Sequence, residues 1–199
     1  MNSPSSRPLK YTQLIESGLD LFRRFGVRRV TVEEICRHAV VSKMTFYKYF
    51  RNKNDLVKTI LDDLIQESYR LQDELQQAPV PFTEKVQRII QFKAERARDL
   101  SGEFINDIYR DIPELKEYMG TQMQIGFQRT MAFFNDAQKQ GQIRQDIHPS
   151  FLLYVTNQIV NWYLDPELQR QYETQEALVT EIVQFYFYGI CTDSCTHED

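Results

Sequence analysis

Between Ser42 and Lys53 the chain concentrates groups suited to a polyanion: Ser42, Lys43, Thr45, Tyr47, Lys48, Tyr49 and Lys53. Ammonium groups, hydroxyls and phenols donate to phosphate oxygens and to the acceptors on base edges. To act together they must share a surface. A short helix from Lys43 to about Phe50 supplies one: Phe46 and Phe50, four residues apart, turn inward. Lys43, Met44, Thr45, Tyr47 and Lys48 are then left towards solvent. Ser42 caps that helix, and the free N–H groups of a helix start also suit a phosphate. Lys53 stands at the start of the next helix, placed for the same chemistry.

The preceding elements must hold that helix in place. Thr31-Val32-Glu33-Glu34 fits a capping box, in which a hydroxyl and a carboxylate exchange hydrogen bonds with backbone N–H groups three residues apart. The helix it opens runs to about His38 or Ala39 and turns Ile35 and Ala39 inward. Ala39-Val40-Val41-Ser42 then separates two short helices at the size and spacing of a helix-turn-helix. Before them, Tyr11 to Phe25 carries Leu14, Ile15, Leu21, Phe22 and Phe25 at helical spacing, with Gly18 on the same face and Gly26 at the stop.

The rest reads as helix as well. Asn52-Lys53-Asn54-Asp55 caps a helix to about Gln76. Further helices are expected over 83–100, a short segment to Asp111 stopped by Pro113, then 114–140 ended by Gly141, 151–163 broken at Asp165-Pro166, and 174–189. No alternating strand pattern occurs. The expectation is an all-α chain of about nine helices, with a helix-turn-helix domain over residues 1–55 and a ligand-binding and dimerisation domain over 56–199.

Charge separates the same two regions. Residues 1–60 carry 12 Lys/Arg against 5 Asp/Glu, and residues 61–199 carry 12 against 23. A basic head on an acidic body implies that the head alone meets a polyanion. No apolar run reaches the roughly 18 residues of a membrane span, and Met1–Lys10 is polar with no apolar core of a secretory signal. Three cysteines (Cys36, Cys191, Cys195) make no disulfide framework, so a cytoplasmic setting without membrane is expected.

Residues 14–57 resemble the DNA-binding head of the tetracycline-repressor (TetR) family of bacterial transcription regulators. The likeness is carried by Leu21-Phe22, Gly26, Thr31-Val32-Glu33-Glu34-Ile35, Ala39, Val41-Ser42-Lys43, Thr45-Phe46-Tyr47, Phe50 and Asn52-Lys53-Asn54-Asp55-Leu56. It implies that the helix beginning at Ser42 reads double-stranded DNA through Lys43, Met44, Thr45, Tyr47 and Lys48, while Thr31, Tyr47, Tyr49 and Lys53 clamp phosphates. It also implies a homodimer joined by its last two long helices and a small-molecule pocket in the body. Val40 departs from the family's usual glycine; in a left-handed backbone a β-branched residue costs about 1–2 kcal/mol. Tyr49 replaces a usual histidine and keeps a donor.

The body offers two readings. The helices at 151–163 and 174–189 are apolar nearly all round, and a second apolar stripe implies a four-helix dimer interface through Phe151, Val155, Ile159, Ile182, Val183 and Tyr186. A twofold dimer would set its reading helices about 34–36 Å apart, one DNA turn, on a palindromic operator. Phe92, Phe104, Tyr109, Met123, Phe127, Phe134, Tyr154 and Trp162 could line a cavity for an apolar or aromatic effector, or belong to plain core. Cys191, Cys195 and His197 make a poor metal site with three donors. No metal, cofactor or catalytic residue is expected: a Gly-rich phosphate loop, a nucleophile elbow and a His-Glu-x-x-His pair are all absent from the sequence. A ligand-responsive repressor is the reading that results. A protein-interaction module using the head, and a carrier or enzyme built on the body, remain as alternatives. Salt-sensitive duplex binding separates the first from a repressor, and substrate turnover without DNA would favour the second.

Overall fold

The computed structural model describes residues 7–98, 102–173 and 175–190. Its elements are α1 (Leu9–Phe25), α2 (Val32–His38), α3 (Lys43–Tyr49), α4 (Lys53–Gln77), α5 (Phe82–Arg98), α6 (Gly102–Asn106) running on into a π-helical turn (Asp107–Asp111), α7 (Pro113–Lys139), α8 (Pro149–Leu164), α9 (Pro166–Gln169) and α10 (Gln175–Ile190). No strand occurs among the described residues, and the chain is all-α as its spacing predicts. Two prolines act differently from the expectation. Pro113 opens α7 instead of only stopping what precedes it, because proline lacks the N–H that a first helical residue leaves unused. Pro166 does the same for α9, a single turn capped by Asp165, whose carboxylate accepts from the N–H groups of Glu167 (2.8 Å) and Leu168 (3.3 Å).

The chain forms two compact units. One comprises Met1–Glu67 and Asp99–Gln122; the other comprises Ser68–Arg98 and Met123–Asp199. The first is larger than the stretch 1–55 read from the sequence. Its core joins Leu14, Phe22, Ile35, Phe46, Phe50, Leu56 and Ile60 to Phe104, Ile108, Leu115 and Met119. Small helical domains expose much of their core surface. Here the start of α4, α6, the π-helical turn and the start of α7 complete the cover of α1–α3. Gly18 allows α1 and α4 to meet: a Cβ there would stand 2.9 Å from Leu56 Cδ2 and 3.2 Å from Ile60 Cδ1.

The second core gathers Phe82, Val86 and Ile90 from α5, Phe133 and Phe134 from α7, Leu152 and Ile159 from α8, and Leu178, Ile182 and Tyr186 from α10. Phe82 stacks on Phe133 at 5.4 Å between ring centroids. One polar pair is sealed inside: Thr156 Oγ1 donates to the Leu152 carbonyl (2.7 Å) and lies 3.0 Å from the Tyr186 hydroxyl. No helix among the described residues is long and apolar enough to cross a membrane.

Candidate nucleic-acid interface

Local hydrogen bonds delimit α2 and α3. The capping box forms as the sequence predicts. The Glu34 N–H donates to Thr31 Oγ1 (3.2 Å), while the Thr31 N–H and hydroxyl both donate to Glu34 Oε2 at 2.8 Å. At the far end of α2, the Val41 N–H returns to the Cys36 carbonyl (2.9 Å). Between them Val40 has φ 54°, the left-handed conformation its unusual side chain makes costly. Ser42 then caps α3, accepting from the Thr45 N–H at 3.1 Å, with the two hydroxyls 3.0 Å apart.

Aromatic packing fixes the rotation of α3. Phe46 and Phe50 are buried with ring centroids 5.5 Å apart, and Tyr11 of α1 stacks on Phe50 at 5.3 Å. With that face anchored, Ser42, Lys43, Met44, Tyr47 and Lys48 are exposed and Thr45 is half-buried. Thr31 is exposed at the start of α2. Lys43 is paired with Glu33, and this contact holds the Glu33 carboxyl below its ordinary range while raising the Lys43 ammonium. Tyr49 is half-buried, edge-on to Tyr11 at 5.5 Å, and so belongs partly to the core behind the exposed face.

Lys53 requires a correction. Instead of standing free for a phosphate, its Nζ donates to the carbonyls of Val27 (2.6 Å) and Val30 (2.7 Å). Burial lowers its pKa, and the charge of Asp107 works in the opposite direction. Asp107, which the sequence reading missed, is buried in the π-helical turn and accepts from the Arg28 N–H at 2.8 Å. Lys53 and Asp107 therefore grip the α1–α2 loop from its acceptor and donor sides. Gly26 completes the fit: φ is 76°, and a Cβ would come within 2.8 Å of Asp107 Oδ2. The glycine after α1 was legible; the carboxylate 81 residues further on had no local signature.

Residues 14–60 match the family description "Bacterial regulatory proteins, tetR family". The likeness to this family lies in the segment that holds most of α1, α2, α3 and the start of α4. The chain is 31% identical over 77 residues to YhgD of Bacillus subtilis (strain 168), an uncharacterized HTH-type transcriptional regulator; that match spans 39% of this chain and 40% of the relative's length. It is 24% identical to the HTH-type transcriptional repressor DhaR of Mycobacterium sp. (strain GP1), over 86% of this chain and 89% of that protein. Its fold matches that of a SmeT–triclosan complex with a TM-score of 0.73 at 14% identity, over 96% and 95% of the two chains. The helix-turn-helix around α3 thus lies inside the segment that matches the tetR-family description.

The rest of the chain sorts its residues differently from the sequence reading. Ile159, Ile182 and Tyr186, expected at a dimer interface, are buried in their own unit's core. Val155 is half-buried, and the Val183 side chain lies outside those described. Phe151 keeps its expected exposure at 59%, joined by Tyr154 at 64% and, on α10, Phe185 at 72%. The eight expected pocket residues are divided between the two units, Phe104 and Tyr109 in the first and the other six in the second. Phe104 is core in the unit that holds the helix-turn-helix, and Phe134 is core in the other. Tyr109, Met123, Phe127, Tyr154 and Trp162 are exposed, while Phe92 is half-buried beneath the Arg96 guanidinium at 5.2 Å. Cys191, Cys195 and His197 lie outside the described residues. Cys36 is buried, which pushes its thiol pKa up.

Proposed function

We propose that this regulator represses transcription in the cytoplasm. As a homodimer it binds a palindromic DNA operator, and a small apolar or aromatic effector held in the body releases it. One observation carries the DNA half of this reading: α3 is capped at Ser42 and anchored by Phe46 and Phe50, so Lys43, Met44, Tyr47 and Lys48 form an outward face. Lys43, Thr45 and Lys48 would reach base edges and backbone from the major groove, with Thr31, Ser42, Tyr47 and Tyr49 on flanking phosphates. Lys53 acts on this surface indirectly, by holding the α1–α2 loop.

The exposed aromatic side chains of α8 and α10 support the dimer, since Phe151, Tyr154 and Phe185 otherwise face water. The likeness to DhaR supports repression, and the fold shared with a triclosan complex supports an effector. Release is a population shift: an effector that favours one head spacing by a few kcal/mol moves the dimer off a site one DNA turn long. Selection of bound duplexes from a random pool tests the reading. A palindrome should emerge, bound with an affinity that falls steeply with salt. Absence of enrichment, or a flat salt response, overturns it.

A further inference from the structure

Val40 is 86% exposed and has φ 54°. A β-branched residue in that conformation is an outlier, and glycine would occupy it without strain. Met44, four residues on, is also 86% exposed. Val40 stands two residues before the Ser42 cap and Met44 two residues after it. Val40 in the turn and Met44 in the first turn of α3 thus flank the helix start, the end that a recognition helix turns to base edges. Around them the groups are polar: exposed Ser42 and Lys43 and half-buried Thr45. The apolar feature that a major groove offers at that depth is the C5-methyl of thymine.

The geometry points to Val40 and Met44 as readers of thymine methyl groups in the operator. This inference rests on α3 being the DNA-reading helix, as proposed above. Val40 then has a role that glycine cannot fill. The backbone strain is retained because the side chain it displays is used in the complex. The polar contacts of Lys43 and Thr45 and the apolar contacts of Val40 and Met44 divide the reading of adjacent base pairs.

Deoxyuridine differs from thymidine by that methyl alone and provides the test. The operator selected from the random pool is resynthesised with deoxyuridine at one thymidine at a time. Removing a contacted methyl should weaken binding by the wild-type protein about fourfold. Val40→Gly should abolish the penalty at one position, and Met44→Ala at another. Val40→Gly should also raise the thermal midpoint of the free protein. Equal binding of thymidine and deoxyuridine operators by the wild type overturns the inference. A penalty that survives unchanged in both variants overturns it too, because the methyl would then act through the duplex. Failure to enrich any duplex removes the DNA-reading premise itself, whereas a good operator without methyl discrimination removes only this inference.

Discussion

Helices α3 and α8 both expose apolar side chains, yet only one of them could be oriented from its sequence. In α3 the strongly apolar positions that pack are Phe46 and Phe50, four apart, and every neighbour except Met44 carries a polar group. Only one rotation buries both rings. In α8, Phe151 to Val155 is an unbroken apolar run, followed by Ile159, Val160, Trp162 and Tyr163. Several rotations satisfy it. The fold selects one that buries Leu152, Thr156 and Ile159 and exposes Phe151, Tyr154 and Trp162. The decisive residue is polar: Thr156 points inward because its hydroxyl meets the Leu152 carbonyl and the Tyr186 hydroxyl. A face is located by contrast along the helix, not by hydrophobicity alone.

The largest expected effect tests the anchoring of α3. Phe46→Ala leaves a cavity at a fully buried site and should cost about 3–5 kcal/mol. Operator binding should vanish in a gel-shift titration, with a lowered thermal midpoint for the first unit. Undiminished operator affinity in that variant would break the contrast, since the outward face would not depend on the ring behind it.

The counterpart on α8 and α10 concerns assembly. Phe151→Asp combined with Phe185→Asp should weaken the dimer on the order of 100-fold, read by sedimentation, while the helical content stays at the wild-type level. Ile159→Asp should instead unfold its unit, because a carboxylate there enters the core. A folded Ile159→Asp monomer would return that residue to the interface. A double variant that remains a full dimer would move the interface away from both exposed aromatics.

The sequence carried the local parts of the head almost completely. Thr31 with Glu34, Ser42 with Thr45, Gly26 and Gly18 each announce a cap, a turn or a close approach within a few residues. Even the left-handed backbone at Val40 was legible as a departure from glycine. What failed was long-range pairing. Lys53 looks like a free cation at a helix start, and nothing near it in the chain reveals the carbonyls of Val27 and Val30 that it satisfies. Asp107 looks like one acidic residue among many until folding sets it against the Arg28 N–H. The pocket list shares the difficulty of α8: aromatic residues at helical spacing do not say which side is packed.

Lys53 and Lys43 sharpen the same comparison within the head. Lys53→Met keeps the stem and removes the donor, leaving two loop carbonyls without their partner, and should cost about 1–3 kcal/mol of stability. The slope of operator affinity against salt should not change, because no phosphate contact is lost. Lys43→Ala should do the reverse, leaving the thermal midpoint near wild type and lowering the salt slope by about one. A reduced slope for Lys53→Met would restore that lysine to the phosphate contacts.

The smallest effect concerns what Lys43 does before DNA arrives. Its ammonium is paired with Glu33, and on binding it must exchange that carboxylate for a phosphate or a base edge. Glu33→Gln removes the competitor and a negative charge beside the groove, so operator affinity should rise a few-fold with little change in thermal midpoint. The pH dependence has a definite sign. Because Lys43 lowers the Glu33 pKa in the folded protein, the ion pair is fully present above the ordinary carboxyl value of 4.5 and is lost only as pH falls through the lowered one. The advantage of Glu33→Gln over wild type should therefore be constant across the neutral range. An advantage that shrinks as pH falls towards neutrality would mean that a group other than Glu33 holds Lys43, and equal affinities at neutral pH would mean that the pair exerts no restraint on the reading face.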